Sequence, residues 1–146
     1  MATIREVKNL VANFEQSQEK IMNDCINDTS ELILDENRAQ MLEGLDKQGN
    51  EIIPPYKPFT RERKIEEGRD PDKVTLFDKG DFHRQMFMQN DGKQILIDSK
   101  DEKTNKLMIK YDKNDTILGI PNDKKEIINE SIMDKFIKIF RLMTKL

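Results

Sequence analysis

Tryptophan is absent from this chain, cysteine and histidine occur once each, and no apolar run approaches the ~18 residues of a membrane-spanning helix. Each absence excludes something. A single cysteine, Cys25, forms no internal disulfide and no cysteine-based zinc site. A single histidine, His83, excludes a multi-histidine metal centre. The start, Met1-Ala2-Thr3-Ile4-Arg5-Glu6, lacks the apolar stretch of a secretory signal, so none is expected. The N-x-[ST] triplets at Asn27, Asn114 and Asn129 are accordingly expected to carry no glycan. Gly80, Gly92 and Gly119 stand alone, so no glycine-rich phosphate cradle is present. Apolar residues are also scarce, at 36% against an equal 36% of charged residues. Such a chain builds one modest core and leaves some segments extended until a partner covers them. The 146 residues read as a single domain, and the net charge of −3 argues against a protein built to grip nucleic acid.

What is present is mostly helical. At 100° per residue Ile4, Val7, Leu10, Val11, Phe14, Ile21, Met22 and Cys25 fall within an arc of about 120°, which predicts a buried helical stripe over residues 3–27. Asn27-Asp28-Thr29-Ser30 interrupts it, and Thr29 or Ser30 is placed to cap a second helix that ends at Gly44. Residues 45–73 are rich in Lys, Asp, Glu and Pro and read as an extended arm. Within it Ile52-Ile53 suggests a short strand, and Thr60 begins a short basic helix ending at Gly68. Val74-Thr75-Leu76-Phe77 reads as a strand. Asn90-Asp91-Gly92-Lys93 is a hairpin turn between Met86-Phe87-Met88 and Gln94-Ile95-Leu96-Ile97. Lys106–Lys110 is a short strand or a helical turn, and Asn122 caps a last helix over 122–146. The apolar residues of that helix spread over roughly 220°, more than one core needs. The domain either wraps it on two sides or leaves it an exposed docking face.

Few residues carry chemistry. His83 lies beside Asp81 and Arg84 without a nucleophile to serve, and reads as a surface or interface residue. Cys25 sits on the apolar stripe as a small hydrophobe. Asp70, Asp72, Asp78, Asp81 and Asp91 lack EF-hand spacing. Pro71-Asp72 followed by Asp98-Ser99-Lys100 after a strand is the pattern of a magnesium-dependent PD-(D/E)-x-K nuclease, in which two carboxylates hold the ion and the lysine helps activate water. The basic run Lys57, Arg61, Arg63, Lys64 is interleaved with Glu62, Glu66 and Glu67 and reads as a solvated, self-paired face.

Residues 44–87 carry a longer pattern. It runs Gly44-Leu45-Asp46, Gly49-Asn50, Ile52, Pro54-Pro55-Tyr56, Pro58 and Thr60, then a basic stretch, then Val74-Thr75-Leu76, Asp78, Gly80-Asp81-Phe82. This resembles the small head–tail connector, tail-completion and virion-morphogenesis proteins of tailed bacteriophages. Lys79 stands where that group has Ser or Thr. The resemblance implies a structural subunit of the virion neck, with no enzyme activity, cofactor or metal. Its partners would be copies of itself in a ring and adjacent portal, adaptor or tail proteins, with no specific nucleic-acid or membrane binding. A near-neutral charge suits a channel that DNA must pass freely.

The expected fold is therefore α+β, with long N-terminal helices and a C-terminal helix on a small, mostly antiparallel sheet from 74–120 and a projecting Pro-containing arm. Tyr56, Pro58, Phe59, Phe136, Phe140 and Met143 are the expected interface residues. Asp78 is expected to accept from the amides of Gly80 and Asp81, Gly80 to take a positive φ, and Phe82 to plug the turn into the core. The alternatives are the nuclease, centred on Asp72, Asp98 and Lys100, or a small cytoplasmic regulatory binding protein.

Overall fold

A computed structural model describes residues 2–144. The fold is α+β: six helices and a two-stranded antiparallel sheet among the described residues. In chain order these are α1 (Ile4–Asp28), α2 (Ser30–Leu42), α3 (Pro58–Glu66), α4 (Asp81–Arg84), β1 (Met86–Asn90), β2 (Ile95–Ser99), α5 (Thr104–Tyr111), a 3-10 turn (Asn122–Lys124) and α6 (Lys125–Thr144). Contacts divide the chain into two compact units. One joins Met1–Glu31 to Glu126–Leu146, and the other is Leu32–Lys125.

The first unit is a hairpin of α1 and α6. Thr3 opens α1 with a capping box: its hydroxyl accepts from the Glu6 amide at 3.2 Å, and the Glu6 carboxylate accepts from the Thr3 amide at 2.6 Å. Those bonds hold the Glu6 carboxyl below its usual range. Of the predicted stripe, Phe14, Ile21 and Cys25 are buried, and Ile132, Phe136, Ile139, Phe140 and Met143 of α6 pack on them. The Phe14 ring meets Phe136 and Phe140 edge-on, with centroids 5.3 and 4.9 Å apart. The helix break is narrower than the sequence suggests. Asn27 and Asp28 remain helical and Thr29 alone interrupts. The Thr29 hydroxyl does not cap the second helix but donates backward to the Cys25 carbonyl at 2.8 Å. Lys135 of α6 donates to the Asp28 carbonyl at 3.0 Å and to the Thr29 hydroxyl at 2.9 Å, placing a cation on the C-terminal end of α1.

In the second unit α2 buries Ile33, Leu34, Asn37, Gln40 and Met41 and stops at Gly44, whose φ is +77°. Asp46 then closes a turn by accepting from the amides of Gln48 and Asn50, both at 2.9 Å. Ile52-Ile53 forms no strand, and the pairing there is a single bridge between Leu45 and Glu51. The middle of the expected extended segment is helical. α3 begins at Pro58 rather than Thr60, because proline's fixed φ suits a first helical position. Ile52 and Lys64 are buried within this segment.

The sheet is smaller than expected. β1 and β2 pair from Met86↔Ser99 to Asn90↔Ile95, and Asn90-Asp91-Gly92-Lys93 turns between them as predicted. Asp91 Oδ1 accepts from the amides of Gln94 and Lys93, both at 2.8 Å, which holds its carboxyl below the ordinary range. Residues 74–77 form no strand. Val74 and Leu76 are buried, but Leu76 has a φ of +54°, which breaks the extension. The Thr75 amide donates to the Tyr56 hydroxyl at 3.0 Å instead of to a neighbouring strand. Lys106–Lys110 lies in α5, started by Thr104, whose hydroxyl donates to the Ser99 carbonyl at 3.2 Å. Beyond α5, Asp112 Oδ1 accepts from the Thr116 and Ile117 amides at 2.6 and 2.9 Å. The fully buried Asn37 donates to the Ile117 carbonyl at 2.8 Å and accepts from the Gly119 amide at 3.2 Å. A short chain path is thereby tied to α2 by one side chain.

Candidate functional site

Two places gather the residues that the sequence singles out. The first is the hairpin. Phe136, Phe140 and Met143 lie against Phe14, Ile21 and Cys25, on the inner side of α6. The apolar residues left in water are others: Ile127, Met133, Ile137 and Leu142. On a 3.6-residue period Met133 and Ile137 stand one turn apart on one flank of the inner row, Leu142 falls on the other flank, and Ile127 lies nearly opposite the row. The wide apolar arc thus resolves into an inner row and two flanks. Cys25 is fully buried in this core, and burial first, then Asp28 and Asp24, push its thiol above the ordinary value while Lys135 opposes them. It is a packing residue here.

The second place is a cleft of about 180 Å³ in the second unit, beside α3 and the 76–82 turn. Tyr56 lines it, its hydroxyl pinned to the Thr75 amide, while Pro58 and Phe59 are exposed and Phe59 is 77% open to solvent. The turn residues differ in part from the sequence-based assignment. The Asp78 carboxylate takes Arg63 Nη2 at 3.1 Å and Arg69 Nη2 at 3.4 Å, not the amides of Gly80 and Asp81. The nearby arginines supply charged donors that outcompete neutral amides. Gly80 has a φ of +86° and opens α4, and a Cβ there would come within 2.9 Å of Arg84 Nη1 and 3.0 Å of the Phe77 ring. Asp81 binds Arg84, and Phe82 is buried.

His83 is a core residue, only 4% exposed, rather than a surface one. Its ring stands edge-on to Phe77 and Phe82, and Nε2 lies 2.9 Å from the Thr75 carbonyl, which accepts, so Nε2 carries the proton. Its own carbonyl accepts from Arg38 Nε at 2.8 Å. Burial holds the imidazole below its ordinary value, Arg38 acts in the same sense, and the Thr75 bond opposes both. The unfolded chain takes up this proton near pH 6.5 and the folded chain only at lower pH. The neutral ring's contribution to stability is thus complete above about pH 6.5 and is lost as pH falls through the folded value. The urea midpoint is expected to be lower at pH 5.5 than at pH 7.5, with a smaller difference in His83→Gln. An equal drop in the variant would assign the effect to carboxylates instead.

The nuclease residues are not drawn into a centre. Asp72 is engaged by Arg61 at 2.8 Å, and Asp98 Oδ1 accepts the Ser99 amide at 2.8 Å. Lys100 stands over the Phe87 ring at 5.4 Å. Among the described residues no three His, Cys, Asp or Glu side chains gather closely enough to hold a metal ion. Of the basic run, Arg61 and Arg63 are paired with Asp72 and Asp78. Lys64 is different: it is only 3% exposed, with Nζ 4.5 Å from the Tyr56 ring centroid. The one signal for this in the sequence is a lysine in the last turn of a helix preceded by Tyr56 and opening with Pro58-Phe59. Among the described residues no helix is long and apolar enough to cross a membrane. No protein-family model, no curated protein and no solved structure matches the chain.

Proposed function

We propose that this chain is a structural docking subunit that assembles with copies of itself, without catalysis, in the neck of a tailed-phage virion. The observation that carries the reading is the pair of exposed apolar flanks on α6, Met133 with Ile137 on one side and Leu142 on the other. A closed ring is heterologous: each subunit offers one patch to the neighbour before it and a different patch to the neighbour after it. Two separate flanks on one helix meet that need, whereas a two-fold dimer uses one self-complementary patch. The occupant of each flank is therefore a second copy of this chain. The resemblance of residues 44–87 to head–tail connector and tail-completion proteins supplies the setting, and portal, adaptor or tail proteins would cover the remaining faces.

The test is to count this chain in density-purified particles by quantitative mass spectrometry against the major capsid protein. About six or twelve copies per particle are expected for a cyclic ring at one vertex. Met133→Glu with Ile137→Glu is expected to remove the chain from particles and to leave it monomeric by sedimentation velocity. Both side chains are solvent-exposed, so the hairpin is expected to stay folded, as read by protection of Cys25 from a thiol reagent. Absence of the wild-type chain from particles would overturn the neck assignment. Assembly of the double variant at wild-type stoichiometry would overturn the flank assignment.

A further inference from the structure

A lysine drawn almost wholly out of water gains from a counter-charge, and Lys64, 3% exposed, has none among the described residues. It is the most buried charged side chain among the described residues, and no carboxylate there comes within 4.0 Å of its Nζ. The Tyr56 ring face 4.5 Å away supplies a cation–π contact but accepts no conventional hydrogen bond. The preceding residue, Arg63, is by contrast part-exposed and paired through Nη2 with Asp78. Arg63 Nε is buried without a hydrogen-bond partner, its nearest carboxylate oxygen being Glu67 Oε1 at 3.9 Å. Both side chains line the same cleft.

We propose that this cleft binds a carboxylate carried on an apolar or aromatic group, with Lys64 Nζ as the donor to the carboxylate. The inference is independent of the α6 flanks. The charge of the walls selects a single negative charge. Of the three lining carboxylates, Asp78 is held by Arg63 Nη2 and Asp81 by Arg84, and Asp101 is the third. These carboxylates repel a dianion such as phosphate but leave the Lys64 ammonium open to a monoanion. The rest of the wall is mainly Tyr56, Leu76, Phe77, Phe82, Leu107 and Tyr111, which suits an apolar body behind the carboxylate. A free organic acid and the terminal or side-chain carboxylate of a protein segment share this chemistry.

Amide chemical shifts of the full chain would be followed by NMR during titration with four probes. These are phenylacetate, its neutral analogue phenylacetamide, inorganic phosphate, and N-acetyl-alanyl-phenylalanine with a free carboxylate. Saturable shifts confined to the surroundings of Tyr56, Lys64, Phe77 and Phe82 are expected with the two carboxylates. Lys64→Met is expected to weaken them at least about tenfold, the loss of one charge-assisted bond. Tighter binding of the peptide acid points to a protein segment as the source, and tighter binding of phenylacetate to a free acid; either outcome supports the site. Equal shifts with phenylacetamide, stronger binding of phosphate, or undiminished binding by Lys64→Met would overturn it. Stability of the unliganded protein is a second readout. Removing an uncompensated buried charge is expected to leave Lys64→Met at least as thermostable as wild type. A marked drop in its melting temperature would show that the ammonium is already satisfied, and the proposal would fall.

Discussion

Replacing Phe14 with alanine is expected to cost about 3–5 kcal/mol, the usual range for deleting a buried phenylalanine ring. The effect falls at the top of what one substitution does here, because this ring serves two partners. Phe136 and Phe140 both present edges to it, and few other residues in the hairpin are as deeply buried. The chain carries its own reporters for the loss. Cys25 is its single cysteine and lies in the hairpin core, so the rate of thiol labelling measures hairpin opening. Tyr56 and Tyr111 are its only tyrosines, tryptophan is absent, and both lie in the other unit, so intrinsic fluorescence reports that unit. Labelling of Cys25 in Phe14→Ala is expected to accelerate by about a hundredfold or more, since each 1.4 kcal/mol is a factor of ten. An unchanged labelling rate would place Phe14 outside the stabilising core.

Asn37→Ala is expected to destabilise the second unit by about 2–4 kcal/mol. The Asn37 side chain has no exposed surface and joins two backbone groups 80 and 82 residues away, the Ile117 carbonyl and the Gly119 amide. Alanine leaves both without that partner and opens a void beside α2. Asn37→Asp is no remedy. It keeps the acceptor for Gly119 but sets a carboxylate against the Ile117 carbonyl, and it buries a charge. The check is a urea midpoint read by tyrosine fluorescence, with the slope unchanged from wild type. A loss below about 0.5 kcal/mol would mean that Asp112 and the Lys47 backbone bonds hold this stretch without help.

These two sites differ in how far they can be read from sequence. Phe14 belongs to a stripe of period 3.6, and α1 and its buried face follow from that period. The Asn90–Lys93 turn is legible for a similar reason, since its own side chains make its bonds. Asn37 is not legible, because its partners come from a distant loop and local spacing says nothing about them. Val74–Phe77 is misread as a strand for a related reason. Its composition is right for a ladder, yet its hydrogen bonds go to the Tyr56 hydroxyl and the His83 ring. The cleft is partly legible. The pattern at residues 56–82 marks the correct stretch, but Asp78 turns to arginines that composition would assign to solvent. The burial of Lys64 depends on how α3 folds back, which charge patterning does not encode.

The hairpin joins stretches of chain separated by all of Leu32–Lys125, and this sets an order of events during synthesis. The ribosome releases α1 first and α6 last. At roughly 5–20 residues per second, the row formed by Phe14, Ile21 and Cys25 waits about 5–20 s for its cover. The intervening unit has that interval in which to fold and bring the two ends of the hairpin within reach, which lowers the entropy cost of closing it. A nascent chain that stops before α6 presents a bare apolar stripe to chaperones and proteases and lacks the flanks proposed for assembly. Synthesis of α6 is thereby linked to concealment of that stripe.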